Sequence, residues 1–506
     1  MSVVLIGFMG AGKTSAGRML AEAAGVEAVD TDALVEHAAG QSVPELFEGR
    51  GEAAFRALEE QVVSEALRRA GPNQVLSLGG GSLHSARVRE ALAGHRVVLL
   101  DVDLETAWTR AHDRGRPLAR DRDEFERRYA ERAELYGALA HAVVPGRAAL
   151  TRAFSHVRAL PDGVRLLWAS ASSGEYPVWV GTGILGRLPW PLDGRRFCVS
   201  DATVEPAYGA LIEPRAGSLR LPPGEAHKTL SGAEQAWRWL AGEGATRADH
   251  VVALGGGVVG DLAGFCAATY QRGIPVVQVP STVVAQVDSA YGGKTGVDLP
   301  EGKNYVGAYH QPAAVIADTA LLASLPAEEV AAGWAEVVKT ALIAGGPLWE
   351  RVRAGEGRRA AVDPQVIFAC ARTKLAVVAA DERDGGRRQV LNLGHTIGHA
   401  IETVTGYRRY RHGEAVALGL LAALTLSEQP ALRAEVAALL AGAGLPVRLD
   451  AAVDPDAVQA ATIRDKKRTG TEVPFVLARA PGDVVHGQLL PASAVAAAIR
   501  GLGDAP

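Results

Sequence analysis

The chain has 506 residues, a formal net charge of −4 and a hydrophobic content of 48%, so it is long enough for two or three domains with packed cores. This slightly acidic balance argues against nucleic acid or an anionic membrane as a partner, and no apolar run in the sequence is long enough to cross a bilayer. The first residues lack the charged start of a signal peptide, and the three cysteines form no CxxC pair, so we expect a cytoplasmic protein.

Lysine is scarce, because only eight of the 53 lysine and arginine residues are lysine. An ammonium group is a compact point charge, and arginine cannot replace it in a tight pocket. We therefore expect most of the lysines to bind anionic ligands; the alternative is that they are leftover surface charges. They are Lys13, Lys228, Lys294, Lys303, Lys339, Lys374, Lys466 and Lys467.

The chain begins with a pattern typical of a nucleotide-binding domain. The apolar run Val3–Ile6 predicts a buried parallel strand, and a helical pattern extends to Ala24. Residues 7–14 between them have the form G-x-x-x-x-G-K-T, which binds phosphate through backbone amides and the lysine and binds Mg²⁺ through the threonine hydroxyl. The residues predicted to contact ATP and Mg²⁺ are Gly10, Ala11, Gly12, Lys13, Thr14 and Ser15.

The rest of the first domain offers polar groups that suit a small acceptor with hydroxyls and a carboxylate. Such an acceptor requires an acid that orients a hydroxyl, arginines that pair with the carboxylate, and glycines that allow close approach. The segments that supply these groups are Asp30-Thr31-Asp32, Phe55-Arg56, Gly79-Gly80-Gly81, the loop around Arg116 and the helical segment containing Arg132.

On these motifs residues 1–162 resemble shikimate kinase along their whole length. The resemblance implies a parallel-sheet kinase domain in which Asp32 holds the acceptor hydroxyls and serves as the base, while Lys13 neutralises charge on the transferred phosphate. The alternatives are a nucleotide-sensing module or a kinase for another small hydroxy acid or a sugar acid. The implied shikimate contacts are Arg56, Gly79, Gly80, Gly81 and Arg132, with Arg116 coming from a lid over ATP.

The second unit is predicted to begin at residue 163, with a Rossmann-like α/β half over 163–325 and a mainly helical half over 326–506. Residues 251–261 predict a strand, a glycine loop and a helix start, which suits a pyrophosphate at a helix N-terminus. Residues 292–296 and 302–304 are predicted as loops whose amides and lysines suit a phosphate. In the helical half, only residues 473–477 have a clear strand pattern.

A metal-binding pattern lies in the helical half. His395 and His399 are four residues apart, so on a helix they project from one face; His412 follows within a loop, and Glu336 precedes them on another predicted helix. Imidazole nitrogens and a carboxylate are ligands that bind Zn²⁺ or Co²⁺. Because a catalytic site keeps one position open, we expect one of these four residues not to be a ligand, and the spacing alone favours both His395 and His399 as ligands.

Three glycines, Gly394, Gly398 and Gly413, flank these histidines. A glycine beside a polar side chain usually lets a ligand or another backbone segment come close. This favours a binding site over a pair of helix-capping or core histidines.

From about residue 167 to the C-terminus the chain resembles 3-dehydroquinate synthase, on motifs at 223–229, 255–261, 292–296, 302–304, 335–339, 392–399, 412–414 and 465–467. The resemblance implies that Glu336, His395 and His412 bind the metal and that His399 faces the substrate. The implied NAD contacts are Glu225, Lys228, Gly256, Gly257, Val258, Val259, Gly260, Asp261, Ser281, Thr282, Lys294 and Lys303. The implied contacts to the phosphorylated sugar acid are Lys294, Lys303, Asn304, Lys339, Lys374, Arg388, Asn392, His399, and either Lys466 or Lys467.

The reaction implied by this resemblance converts 3-deoxy-D-arabino-heptulosonate 7-phosphate to 3-dehydroquinate and phosphate, with NAD returned unchanged and with Lys294, Arg388 and His399 as catalytic residues. The alternatives are a metal-dependent polyol dehydrogenase, which would release NADH, or a cyclase of a related sugar phosphate. Zinc and cobalt are both candidates for the metal, and a homodimer through this unit is the expected assembly.

Overall fold

The computed structural model describes residues 1–113, 121–355, 357–462 and 473–503. Contacts divide the chain into two compact units, Met1–Ser170 and Ala171–Pro506. The strand Arg165–Ala171, which we expected to open the second unit, pairs in parallel with Ala142–Val144 of the first. Within the described ranges, no helix has the length and apolar character needed to span a membrane.

The first unit is built on parallel strands in the order β2-β3-β1-β4-β5-β6. The predicted strand Val3–Ile6 is confirmed and is buried at all four positions, with Val4 in register between Leu76 and Val97. The strands are β1 (Val3–Ile6), β2 (Glu27–Asp30), β3 (Gln74–Ser77), β4 (Arg96–Leu100), β5 (Ala142–Val144) and β6 (Arg165–Ala171). The helices are α1 (Lys13–Ala24), α2 (Thr31–Ala39), α3 (Val43–Arg69), α4 (Ala86–Ala91), α5 (Leu104–His112), α6 (Arg122–Leu139) and α7 (Arg147–Arg158).

The parallel strands in the α/β half of the second unit are β7 (Gly174–Gly181), β8 (Arg196–Asp201), β9 (Gly217–Leu221), β10 (His250–Gly255), β11 (Val276–Pro280) and β14 (Ala314–Asp318). Their order is β7-β14-β11-β10-β8-β9. The helices of this half are α8 (Val204–Tyr208), α9 (Leu230–Gly242) and α10 (Gly257–Thr269). Strand β10 is fully buried and leads directly into α10, so the strand, glycine turn and helix predicted at 251–261 are confirmed.

The prediction that residues 292–296 and 302–304 form loops was wrong over most of these residues. Lys294–Leu299 and Gly302–Tyr309 are antiparallel strands, β12 and β13, which pair as a hairpin. Gly296 allows close strand packing here, because a Cβ on it would lie only 2.7 Å from the carbonyl oxygen of Val306. Lys294, Lys303 and Asn304 therefore project from a hairpin.

The helical half contains the predicted strand near 473–477 and a second strand that we did not predict. Pro474–Ala480 and Asp483–Leu489 pair as an antiparallel hairpin, β15 and β16. The helices are α11 (Ala327–Ala344), α12 (Gly346–Ala354), α13 (Arg358–Ala361), α14 (Pro364–Ala380), α15 (His395–Val404), α16 (His412–Leu426), α17 (Pro430–Gly442), α18 (Pro455–Thr462) and α19 (Ala492–Arg500). Helix α16 packs against both α11 and α15, and these three helices carry the predicted metal ligands.

Candidate active sites

The phosphate-binding loop of the first unit lies between β1 and α1. Gly10 and Gly12 have φ values of 84° and 83°, a region that favours glycine. Lys13 donates from Nζ to the carbonyl oxygens of Gly7 at 2.7 Å and Phe8 at 3.2 Å, so its ammonium lies across the loop. Thr14 follows in the first turn of α1, where backbone amides and the helix dipole favour an anion.

The predicted acceptor groups meet at the glycine turn after β3. A Cβ on Gly79 would lie 2.6 Å from Oδ1 of Asp32, and one on Gly81 would lie 2.6 Å from Cζ of Arg56. Arg132 is 6% exposed and donates from Nη1 to the carbonyl oxygen of Gly80 at 2.9 Å. The structure thus brings the acid, the two arginines and the glycines together around one small space.

Glu59 is a residue of this pocket that we did not predict. It is 3% exposed, its Oε2 lies 2.5 Å from Nη1 of Arg56, and its Oε1 accepts from the hydroxyl of Ser82 at 3.0 Å. Its position three residues after Arg56 on α3 was the available sequence signal, since such residues are neighbours on a helix surface. Asp30 accepts from the amide of Asp32 and so caps α2. Arg116 lies outside the described residues.

In the second unit, the predicted metal ligands converge from three helices. One ligand atom each of Glu336, His395 and His412 lies within 4.8 Å of the others. Oε1 of Glu336 is 3.5 Å from Nε2 of His395 and 3.3 Å from Nε2 of His412. Ligand atoms on a tetrahedral zinc with bonds of about 2.1 Å lie roughly 3.4 Å apart, so the two distances from the Glu336 oxygen match this spacing.

The electrostatics of this cluster also fit a dication. Glu336 is 1% exposed, and neither of its oxygens accepts a hydrogen bond of regular geometry from the described residues. Burial alone would lower the pKa of His412, but the carboxylates of Glu336 and Glu402 outweigh it and raise the pKa to about 9. Two carboxylates that attract a proton onto an imidazole would also attract a metal ion. His399 belongs to a different triplet, with Glu402 and His412.

Two of the scarce lysines pair with one aspartate close to the predicted metal ligands. Nζ of Lys339 is 2.5 Å from Oε2 of Glu336 and 2.7 Å from Oδ2 of Asp288, and the side chain is 1% exposed. Lys374 forms an ion pair with the other oxygen of Asp288. Asp288, which we did not predict as a site residue, therefore holds two ammonium groups side by side.

The predicted nucleotide contacts surround the N-terminus of α10. A Cβ on Gly256 would lie 2.9 Å from Cγ2 of Thr282, and one on Gly257 would lie 3.0 Å from Oγ of Ser289, so side chains already line this glycine turn. The hydroxyl of Ser281 is buried and has no hydrogen-bond partner among the described residues. These features leave backbone amides and a hydroxyl available to a nucleotide.

An ion-pair cluster lies beside this turn. Nζ of Lys228 is 2.7 Å from Oδ2 of Asp261 and 3.6 Å from Oε1 of Glu225. Burial lowers the pKa of Lys228, but these carboxylates outweigh it and raise the pKa to about 12. The lysine is therefore a fixed cation beside the glycine turn at Gly256 and Gly257, which together with Ser281 and Thr282 we call the nucleotide cradle. Val258, Val259 and Gly260 form the first turn of α10.

The remaining predicted substrate residues lie on the hairpin and on the segment before α15. Lys294 pairs with Asp384 at 2.5 Å, and Arg388, 1% exposed, donates from Nη2 to the carbonyl oxygen of Gly292 at 3.0 Å. Asn304 has a φ of 56°, and its backbone amide donates to Oδ1 of Asp298. Asn392 is half-buried at the end of the turn that leads to α15. Lys466 and Lys467 lie outside the described residues.

The two sites define the class of the molecule: a small-molecule kinase joined to an enzyme with a metal centre beside a nucleotide cradle. Family models identify the parts. The shikimate kinase model matches residues 9–158, the model of the 3-dehydroquinate synthase N-terminal domain matches 218–332, and that of its C-terminal domain matches 333–468.

The chain is 44% identical over 350 residues to the 3-dehydroquinate synthase of Halorhodospira halophila (strain DSM 244 / SL1), which covers 65% of this chain and 97% of that protein. It is 44% identical over 335 residues to the 3-dehydroquinate synthase of Symbiobacterium thermophilum (strain DSM 24528 / JCM 14929 / IAM 14863 / T), covering 62% and 93% respectively. The chain belongs to the 3-dehydroquinate synthase family and carries a shikimate kinase domain before it, so it is a bifunctional enzyme of the shikimate pathway.

Two solved structures of other synthases share the fold of about two thirds of this chain. A 2-deoxy-scyllo-inosose synthase complexed with carbaglucose-6-phosphate, NAD⁺ and Co²⁺ is 26% identical with a TM-score of 0.60, and covers 66% of this chain and 99% of its own. ValA, a 2-epi-5-epi-valiolone synthase from Streptomyces hygroscopicus subsp. jinggangensis 5008 with NAD⁺ and Zn²⁺ bound, is 25% identical with a TM-score of 0.60, and covers 66% and 98%. Both share the fold and have a nucleotide and a divalent metal bound.

Proposed function

We propose that the first unit transfers the γ-phosphate of Mg²⁺-bound ATP to shikimate, and that the second unit uses NAD⁺ and a zinc or cobalt ion to convert the heptulosonate phosphate to 3-dehydroquinate. The observation that carries the proposal for the second unit is the spacing of Glu336, His395 and His412, whose donor atoms lie within 4.8 Å of one another. Their separations of 3.3 and 3.5 Å from the shared carboxylate oxygen match those of ligands on a tetrahedral ion.

When bound, the metal supplies Lewis acidity toward a substrate hydroxyl and carbonyl, and NAD⁺ supplies a hydride acceptor that is regenerated. The protein's own contribution is to orient an anionic substrate at these two groups. Lys339, which pairs with Glu336 and Asp288, presents positive charge next to the metal ligands, and Lys374 pairs with the same Asp288. The Lys294 ammonium lies on the hairpin, paired with Asp384, where it can bind an anion or exchange a proton with that carboxylate.

Arg388 acts differently from an exposed substrate clamp in this arrangement. Its guanidinium donates to the carbonyl oxygens of Gly292 and Glu382 and is 1% exposed. These bonds tie the segment before α15 to the turn that opens β12. We therefore propose that Arg388 acts on the substrate indirectly, by holding the segment that carries Asp384 near Lys294.

For the first unit, we propose that Thr14 ligates Mg²⁺ and that Lys13 leaves its loop carbonyls to reach the phosphates of ATP. Arg132 and Arg56 bind the shikimate carboxylate. The ion pair between Nη1 of Arg56 and Oε2 of Glu59, 2.5 Å apart, orients the Arg56 guanidinium for this contact. Asp32 accepts the proton of the attacking hydroxyl. Catalysis of this kind consists mainly of positioning and charge neutralisation.

Asp32→Asn tests the kinase mechanism, because the amide keeps the size of the side chain and cannot accept the proton. Phosphoryl transfer should fall by about 10²-fold or more with ATP affinity retained, measured by coupled ADP release and by nucleotide titration. Unchanged turnover would remove Asp32 from the proposal.

The absence of net NADH formation distinguishes the proposed synthase from a polyol dehydrogenase. Phosphate release and absorbance at 340 nm should be recorded together with heptulosonate phosphate, NAD⁺ and Zn²⁺. Phosphate without NADH is the expected result, whereas NADH in equal amounts would mean a dehydrogenase. A cyclase of a related sugar phosphate is the weaker alternative, because the matching cyclases are 25–26% identical and the 3-dehydroquinate synthases are 44% identical.

We also propose the functional boundaries at residues 162 and 325, a cytoplasmic location, and a homodimer formed through the second unit without nucleic-acid or membrane partners. The three cysteines are unpaired and buried, as expected in a reducing compartment. Light scattering of the purified chain tests the assembly, and a monomer mass would exclude the dimer.

A further inference from the structure

We infer that Glu402 is a positioning residue that fixes the metal-binding form of His412 and links that ligand to Lys303. The inference rests on the proposed metal site and goes beyond its three ligands. Glu402 is 2% exposed, and its Oε2 lies 3.3 Å from Nδ1 of His412. On the other side of the same ring, Nε2 of His412 faces Oε1 of Glu336 at 3.3 Å.

An imidazole that binds a metal through one nitrogen carries its proton on the other. The acceptor of that second N–H sets the tautomer and the ring orientation, and a carboxylate acceptor also makes the ligand more basic. With Nδ1 directed at Glu402, the His412 ring leaves Nε2 directed at the proposed metal position. His395 has a weaker support, because its Nδ1 lies 3.2 Å from the neutral carbonyl oxygen of Leu393.

The surroundings of Glu402 favour a supporting role over direct metal binding. Its second oxygen, Oε1, lies 3.2 Å from Nζ of Lys303. His399, Glu402 and His412 also come within 4.8 Å of one another, so a second cation is a competing occupant of this space. Such a cation would lie beside the Lys303 ammonium, which would repel it.

The contact with Lys303 extends the effect of Glu402 toward the nucleotide cradle. Nζ of Lys303 lies 3.7 Å from Oε1 of Glu225 and 4.4 Å from the ring centre of Tyr407. Glu402 therefore joins a proposed metal ligand to a lysine that also faces a proposed nucleotide contact. Loss of the Glu402 charge should weaken metal binding and also free Lys303 from one of its two carboxylates.

The test is Glu402→Gln in the full chain, because glutamine keeps the shape and an acceptor oxygen but removes the charge. Zn²⁺ affinity is measured by competition with a chromophoric chelator, and the Co²⁺ form is examined by visible absorption. Zn²⁺ binding should weaken by about 10- to 100-fold with an altered Co²⁺ spectrum, and excess Zn²⁺ should restore most of the turnover. Glu329→Gln is the control, since this glutamate on α11 is 45% exposed and pairs with Arg411.

Two results would overturn the inference. Zn²⁺ affinity and a Co²⁺ spectrum equal to those of the wild type would mean that Glu402 does not support His412. Loss of binding as complete as that of Glu336→Gln, without rescue by excess Zn²⁺, would make Glu402 a ligand. A wild-type chain that binds Zn²⁺ but has no synthase turnover would refute the proposed function instead and would leave the metal-binding result interpretable.

Discussion

Gly413→Ala is the substitution whose effect on the metal site follows most directly from the packing. Gly413 is the second residue of α16 and follows His412. A Cβ at this position would lie 2.5 Å from Cα of Ala332 on α11, and closer still to the carbonyl oxygen of that residue. Ala332 precedes Glu336 by four residues, so the clash would occur one helical turn from a proposed ligand.

The size of the required movement can be estimated from ordinary contact distances. Two carbon atoms pack at about 3.5–4.0 Å, so α11 and α16 would have to separate by about 1 Å or more. Metal–ligand distances tolerate only about 0.2 Å. Because His412 and Glu336 lie on these two helices, we expect Gly413→Ala to weaken Zn²⁺ binding by at least about 100-fold.

The assay is competition for Zn²⁺ with a chromophoric chelator, with circular dichroism to establish that the variant is folded. Gly442→Ala is the matched control, since Gly442 ends α17 and a Cβ there would have no described atom within 4 Å. We expect the control to bind Zn²⁺ like the wild type. A folded Gly413→Ala protein with wild-type Zn²⁺ affinity would show that the helix spacing does not set the ligand geometry.

Gly81→Ala should raise the KM for shikimate about 10-fold and leave the KM for ATP unchanged in steady-state kinetics, because the new Cβ displaces the Arg56 guanidinium; equal effects on both substrates would contradict this. Lys339→Met should lower the free energy of unfolding by about 3–5 kcal/mol in denaturant titrations, since it breaks a buried ion pair. Bound Zn²⁺ should reduce this loss of stability, because the ion neutralises the Glu336 carboxylate. A loss of stability that does not depend on Zn²⁺ would contradict the proposed metal site. Burial raises the pKa of Glu382, but hydrogen bonds from Gln311, Ser172 and Ser173 outweigh it and lower the pKa to about 2 from its ordinary value of 4.5. This group therefore stabilises the fold above pH 4.5 and loses its contribution as the pH falls toward 2, so the stability gap between wild type and Glu382→Gln should close over that range.

The local parts of both sites could be predicted from the sequence because short segments determine them. The apolar run Val3–Ile6 and the glycine-rich loop predicted a strand followed by helix α1, and the structure confirms both. The flanking glycines of the histidine cluster indicated close backbone approach, and Gly413 does pack against α11. In contrast, Gly296 was interpreted as a loop residue, although it allows two strands of a hairpin to pack closely.

The supporting carboxylates could not be predicted, because their role depends on helices distant in sequence. The spacing of four residues favoured His395 and His399 equally. Only the packing of α11, α15 and α16 brings His395 toward Glu336 and directs His399 to Glu402 instead. Asp288 and Glu402 are ordinary polar residues in the sequence, and they become site residues through the lysines and the imidazole that the fold places against them.

Phosphorus NMR of the intact chain tests most directly whether it carries both activities. One sample contains ATP, Mg²⁺ and shikimate; the other contains the heptulosonate phosphate, NAD⁺ and Zn²⁺, with absorbance at 340 nm recorded in parallel. We predict a phosphoshikimate signal in the first sample, and free phosphate without NADH in the second. Absence of phosphoryl transfer to shikimate, or accumulation of NADH with the heptulosonate phosphate, would contradict the assignment of the corresponding unit.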